Sequence, residues 1–125
     1  MQSIIGTWRL VGEDARDPSG APLPHLLRRQ PLGVASFNES GRMVVVISEG
    51  DARAPSPAYV SYCGAYRFDG STLVTTADGG SEPRFTAQPQ TRAASFADGR
   101  MTLRPPPRVI DGTLTAMSLT WERVG

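Results

Sequence analysis

Apolar side chains along this chain fall at every second position far more often than at the three- and four-residue spacing of a helix face, which predicts strands. Thr, Val, Tyr and Phe, whose branched or aromatic side chains suit a pleated surface, fill the runs between turn signals. Asn38-Glu39-Ser40-Gly41 separates the run 33–37 from 42–48, Asp69-Gly70 separates 59–68 from 72–77, and Asp98-Gly99 separates 91–96 from 100–104. Asp-Gly pairs suit tight hairpin turns, because glycine reaches positive φ without a steric penalty. With 6–14 at the front and 113–124 at the back, eight strands are predicted, and Gly79-Gly80 predicts a break after Ala77.

Gly41, Gly70 and Gly99 stand 29 residues apart, so the chain reads as three successive hairpins of equal length. Too few residues remain for crossover helices, so neighbouring strands should pair antiparallel in a meander. Closure of such a sheet removes its two exposed edges. The expected fold is therefore all-β: an eight-stranded up-and-down antiparallel barrel, one domain over residues 1–125, with a short N-terminal helical plug. Connections alternate between the two ends of a meander. The long ones, 15–32, 49–57, 78–88 and 105–112, then all fall at one end, and the other keeps only tight turns plus Ser3-Ile4-Ile5. That is a cup with a bottom and a mouth. Eight strands enclose an interior that side chains just fill or that holds one small ligand. The one-sided distribution of long connections favours the second, and a solid barrel is the alternative.

Composition narrows the chemistry. A chain of 125 residues with 39% hydrophobic content supports one ordinary core. Cys63 is the single cysteine and His25 the single histidine, which excludes an internal disulfide and a Cys/His zinc site. All 13 basic residues are arginine, which excludes lysine nucleophiles and phosphate-loop lysines. The net charge is +1, and Arg16, Arg28, Arg29 and Arg53 are interleaved with Asp14, Asp17, Glu49 and Asp51, so no basic nucleic-acid surface is expected. Met1-Gln2-Ser3-Ile4-Ile5 lacks the basic start and apolar run of an export signal, and the longest apolar run, 43–47, is far short of a membrane span. A soluble cytoplasmic protein without cofactor or metal is the expectation. Asn38-Glu39-Ser40 matches a glycosylation triplet but reads as a turn.

Five segments together resemble a known family: Gly6-Thr7-Trp8-Arg9-Leu10-Val11, Ser40-Gly41-Arg42-Met43, Ala58-Tyr59, Tyr62-Cys63-Gly64-Ala65-Tyr66 and Trp121-Glu122-Arg123-Val124. In order and spacing they are similar to the bacterial and fungal lipocalin-like domain family, small barrels of the calycin type, over nearly the whole chain. The resemblance implies that Trp8, in a Gly-x-Trp motif, closes the barrel floor and that Arg123 of the last strand covers it. It also implies occurrence in secondary metabolism, where a barrel binds or reshapes an apolar intermediate. The segment Pro24-His25-Leu26-Leu27-Arg28-Arg29-Gln30 departs from the family pattern, so no loop-based role carries over.

Several side chains are candidates for the site. Tyr62 and Tyr66 share one strand face with Gly64 and Phe68, opposite Ser61, Cys63, Ala65 and Arg67. Pointing inward, the two phenols either hydrogen-bond within the barrel or hold a ligand oxygen. Arg92 alternates with Ala94 and Phe96, and an inward guanidinium demands a carboxylate from protein or ligand. Phe37, Met43, Val45, Met117 and Trp121 are expected inside, as core and as apolar cavity wall. His25, in the first long connection, is the default general base or else a solvent-exposed loop histidine. Glu13 and Asp14 are adjacent, hence on opposite strand faces, and are read as solvated. The favoured function is binding of a small hydrophobic molecule. An isomerase, cyclase or dehydratase acting on a hydrophobic natural-product intermediate is the alternative, with catalytic residues unknown beyond His25. A third reading is an interaction module that pairs with a second copy as a homodimer.

Overall fold

A computed structural model describes residues 3–28, 31–50, 53–55 and 58–125. Arg29, Gln30 and Asp51, which entered the charge and family readings, and Met1 and Gln2 of the start lie outside the described residues. The strands are β1 (Gly6–Arg16), β2 (Gly33–Phe37), β3 (Arg42–Glu49), β4 (Ala58–Phe68), β5 (Thr72–Gly80), β6 (Gln90–Ala97), β7 (Arg100–Arg104), β8 (Arg108–Ile110) and β9 (Thr113–Arg123). They pair antiparallel in the order β1-β2-β3-β4-β5-β6-β7-β9, and β9 returns to β1. Eight strands thus close a barrel, and β8 forms only a hairpin on the front of β9.

The three equal hairpins are present. Gly41, Gly70 and Gly99 all adopt positive φ (83°, 102° and 75°). Short side chains knit the turns: Asn38 Oδ1 accepts the Arg42 N–H at 3.0 Å, and Asp69 Oδ1 accepts the Ser71 and Thr72 N–H groups at 2.9 and 2.7 Å. Those backbone donors, Ser71 first and then Thr72, hold the Asp69 carboxyl below its usual range. The carboxamide of the Asn38 triplet is thus engaged in its own turn. All four long connections lie at the opposite end.

Differences from the expected elements have local causes. Gly79 and Gly80 continue β5 instead of breaking it, pairing with Cys63 and Tyr62. The fourth connection contains β8, whose Val109 and Leu114 contacts face outward. The helical plug is corrected. Residues 3–5 are not helical, and the described helices are the 3-10 turns Pro24–Leu26 and Pro83–Phe85. No helix among the described residues is long and apolar enough to cross a membrane.

The floor is nonetheless sealed by the N-terminal segment in extended form. Ile4 is 2% exposed, and the Trp8 Nε1–H donates to its carbonyl at 3.0 Å. The Arg123 guanidinium lies 4.2 Å over the Trp8 ring and donates to the carbonyls of Ser3 (2.6 Å) and Ile5. Gly6 takes φ 134°, and a Cβ there would stand 2.5 Å from Arg123 Nη1. The Gly-x-Trp motif therefore has a steric reason, since the glycine leaves room for the arginine that caps the tryptophan. Above it, Phe96 packs against Trp8 and Phe68, with ring centroids 6.4 and 5.9 Å apart. Each buried aromatic removes roughly 150–250 Å² from water, on the order of 4–6 kcal/mol of transfer free energy.

Two outcomes are expected. Arg123→Ala should lower the unfolding free energy by about 2 kcal/mol, through the lost ring contact and two charged hydrogen bonds, read as a urea midpoint at unchanged slope. A loss under about 0.5 kcal/mol would reject the clamp. Gly64→Ala should cost more, at least about 3 kcal/mol, because the new Cβ would meet the backbone Thr76 oxygen at 2.2 Å. Near-wild-type stability would contradict that placement.

Candidate functional site

The interior is solid beside the floor and hollow toward the mouth. A cavity of about 300 Å³ has walls of Phe37, Val45, Ile47, Val60 and Leu73 on one side. Leu103, Met117, Leu119 and Trp121 form the other. The long connections supply its rim: Arg28 from the first, Arg84 and Phe85 from the third, and Pro105, Pro106 and Arg108 from the fourth. Phe85 enters on the 3-10 turn Pro83–Phe85, is 4% exposed, and stacks on Tyr62 with ring centroids 4.7 Å apart and planes inclined by 23°. Gly80 permits this. A Cβ there would come 3.1 Å from the Cβ atoms of both rings.

The structure brings together six of the expected ligand-contacting residues. Tyr62, Arg92, Phe37, Val45, Met117 and Trp121 all line the cavity. Tyr66 and Met43 are not among its lining residues. The Tyr66 hydroxyl donates to the Asn38 carbonyl at 2.7 Å, its ring meets Phe37 edge-on at 5.1 Å, and Met43 is buried in the core. Trp8 and Arg123 occupy the floor. His25 is exposed in its 3-10 turn and does not line the cavity.

Glu13 corrects its solvated reading. A β-bulge lies between Leu10 and Gly12 in the β1–β9 ladder, so the alternation set by Trp8 and Leu10 shifts by one. Glu13 and Ala15 then stand opposite Leu119 and Met117, the inward residues of β9. The Glu13 side chain is 3% exposed, and its carboxylate accepts the Arg28 backbone N–H at 2.9 Å and the Arg28 guanidinium. The pair ties the first connection to the barrel and fixes Arg28 at the rim.

The rest of the cavity's charge is positive. Arg92 is half-buried and donates to the Thr91 carbonyl at 3.1 Å and to Gln90 Oε1. Burial holds its pKa below the ordinary arginine value; the nearby Tyr62 opposes that shift, and Arg108 and Arg84 add to it. Tyr62 moves the other way. Burial raises its phenol above the usual value of 10.0, and Arg92 and Arg84 pull it part of the way back. Trp121 is 2% exposed, and its Nε1–H has no hydrogen-bond partner among the described residues. Nor do the described residues contain a group of three or more His, Cys, Asp or Glu able to hold a metal.

A larger depression of about 440 Å³ lies on the outside of β6, β7 and β9. Its Glu122 is already shared between Arg9 (3.1 Å) and Arg100 (3.4 Å), a solvent-exposed arrangement with little to offer a ligand.

Comparison with known proteins adds one finding. The family model described as lipocalin-like domain matches residues 5–124, nearly the full chain. No curated protein and no solved structure matches it.

The Tyr62 environment predicts an alkaline effect. The folded chain holds the phenol proton more tightly than the unfolded chain, so this contribution is complete below pH 10.0 and is lost as pH rises through the folded value. Burial shifts Tyr66 in the same direction, so some slope survives the loss of either. Tyr62→Phe should make the alkaline fall in urea midpoint shallower than in the wild type. An unchanged fall would contradict the buried placement of the hydroxyl.

Proposed function

We propose that this chain, which belongs to the lipocalin-like domain family, binds a small hydrophobic molecule in the cavity above its aromatic floor. The supporting observation is a barrel solid at one end and hollow at the other, its hollow opening where the long connections gather. Apolar side chains form most of the wall, while Tyr62 and Arg92 provide polar anchors that orient what enters. A volume of about 300 Å³ is at the small end of ligand sites, which suits a molecule of one or two rings or a short branched chain. Met117, unbranched and polarisable, lets the wall adapt to that shape.

An isomerase, cyclase or dehydratase on the same barrel needs a base facing the hollow. His25 is exposed outside the cavity lining, and the Glu13 carboxylate is held by Arg28, so binding is the reading the geometry favours. The homodimer reading has behind it one small exposed apolar cluster, Val34, Val44 and Val46, adjacent on the outer face of β2 and β3.

The test uses 2-naphthamide, a flat uncharged probe, titrated calorimetrically. Binding at a dissociation constant below about 1 mM is expected. Val60→Phe and Val45→Phe, which fill the hollow from two sides, should each weaken it about tenfold or more. Binding unaffected by both fillings would place the probe elsewhere and refute the cavity reading.

A further inference from the structure

The cavity carries more positive charge than the protein neutralises. Among the described residues four arginines line it, Arg28, Arg84, Arg92 and Arg108, and no aspartate or glutamate does. Two of the four are answered locally, Arg28 by Glu13 and Arg84 by Glu82. Arg92 and Arg108 form no ion pair with a carboxylate among the described residues. Arg92 is the costlier of the two. It shares its strand face with Ala94 and Phe96, which pack against the apolar core, and its hydrogen-bond acceptors among the described residues are a carbonyl and the Gln90 carboxamide. A barrel that needed only to fill its interior would carry an apolar side chain at this position. A desolvated guanidinium without a counter-charge opposes folding, the more so beside two further arginines.

We propose that the bound molecule is a small apolar carboxylic acid, whose carboxylate sits between Arg92 and Arg108 while its hydrocarbon body fills the hollow. This deepens the binding reading above and rests on it. A planar fork of N–H donors matches the two oxygens of a carboxylate, and the Tyr62 hydroxyl lines the same cavity as a further donor. Arg84 and Arg108 are exposed at the rim, where their field draws an anion inward, and Arg92 receives it at depth. Trp121 supplies a second, independent demand. Its buried indole N–H lacks a partner, so an acid bearing an additional oxygen, as a keto or hydroxy group, fits better than a pure hydrocarbon acid.

The experiment compares 2-naphthoate with 2-naphthamide, probes of the same shape that differ in charge, on the full chain. The wild type should bind the anion roughly 10- to 100-fold more tightly, with a preference that shrinks as salt is added. Arg92→Met and Arg108→Met should each remove most of that preference, weakening 2-naphthoate far more than 2-naphthamide. Arg67→Met, on the outward face of β4, should change neither. Arg92→Met should also raise the melting temperature of the ligand-free protein, since it removes a half-buried charge that no carboxylate among the described residues answers. Arg92→Gln provides the same test should the Met variant fold poorly. Equal affinity for the two probes, or a preference that survives both Arg92 variants, would overturn the assignment of a carboxylate and leave the cavity reading standing. Failure of both probes to bind would overturn the cavity reading and the inference with it.

Discussion

Everything in this molecule depends on the pairing of its first strand with its last. The β1–β9 ladder runs from Trp8 opposite Arg123 to Arg16 opposite Ala116 and joins residues a hundred or more positions apart. Without it the sheet would have two open edges and no inside. The same ladder places Arg123 over Trp8, so closure of the barrel and sealing of its floor are one event. Such non-local pairing is slow to form, because loop entropy is spent before the contacts are gained. The three tight hairpins, by contrast, are local pairings whose closure costs little loop entropy.

The seam also decides what the interior displays. The bulge after Leu10 reverses the alternation of β1, turning Glu13 inward beside Leu119 and sending Asp14 outward. A buried carboxylate then needs a partner, and Arg28 meets it with both a backbone and a side-chain donor. One inserted residue therefore anchors the first connection and neutralises one of the four cavity arginines. The asymmetry that remains, positive and unpaired at Arg92 and Arg108, distinguishes this hollow from a packing defect.

Much of the fold could be read from the residues because strands and tight turns have local signatures. Period-two patterning located the eight barrel strands, and the spacing of Gly41, Gly70 and Gly99 set the hairpins and the end at which the loops gather. Alternation also grouped Tyr62 with Phe68 and Arg92 with Phe96, and Tyr62 and Arg92 both line the hollow. It could not give depth. Tyr62 and Tyr66 lie on the same face of β4, yet one lines the hollow and the other is tied to the Asn38 turn beside the floor. Height along the barrel depends on register and strand tilt, which a single strand does not encode. The bulge at Val11 was missed as well, although Gly12, a glycine inside a strand pattern, was an available signal for it. Phe85, Arg84 and Arg108 were missed because connections have no period. Pro83-Arg84-Phe85, an aromatic within a Pro-bearing segment at the mouth, was the available signal.

The central claim is that a hollow lies between Tyr62 and Trp121, open toward the long connections and closed below by packed aromatic rings. A crystal pressurised with xenon, which enters apolar cavities without needing polar partners, measures it directly. Xenon density bounded by Val45, Val60, Leu73 and Trp121, with none beside Trp8, is the predicted result. An interior filled by side chains, or xenon reaching the Trp8 floor, would contradict the account.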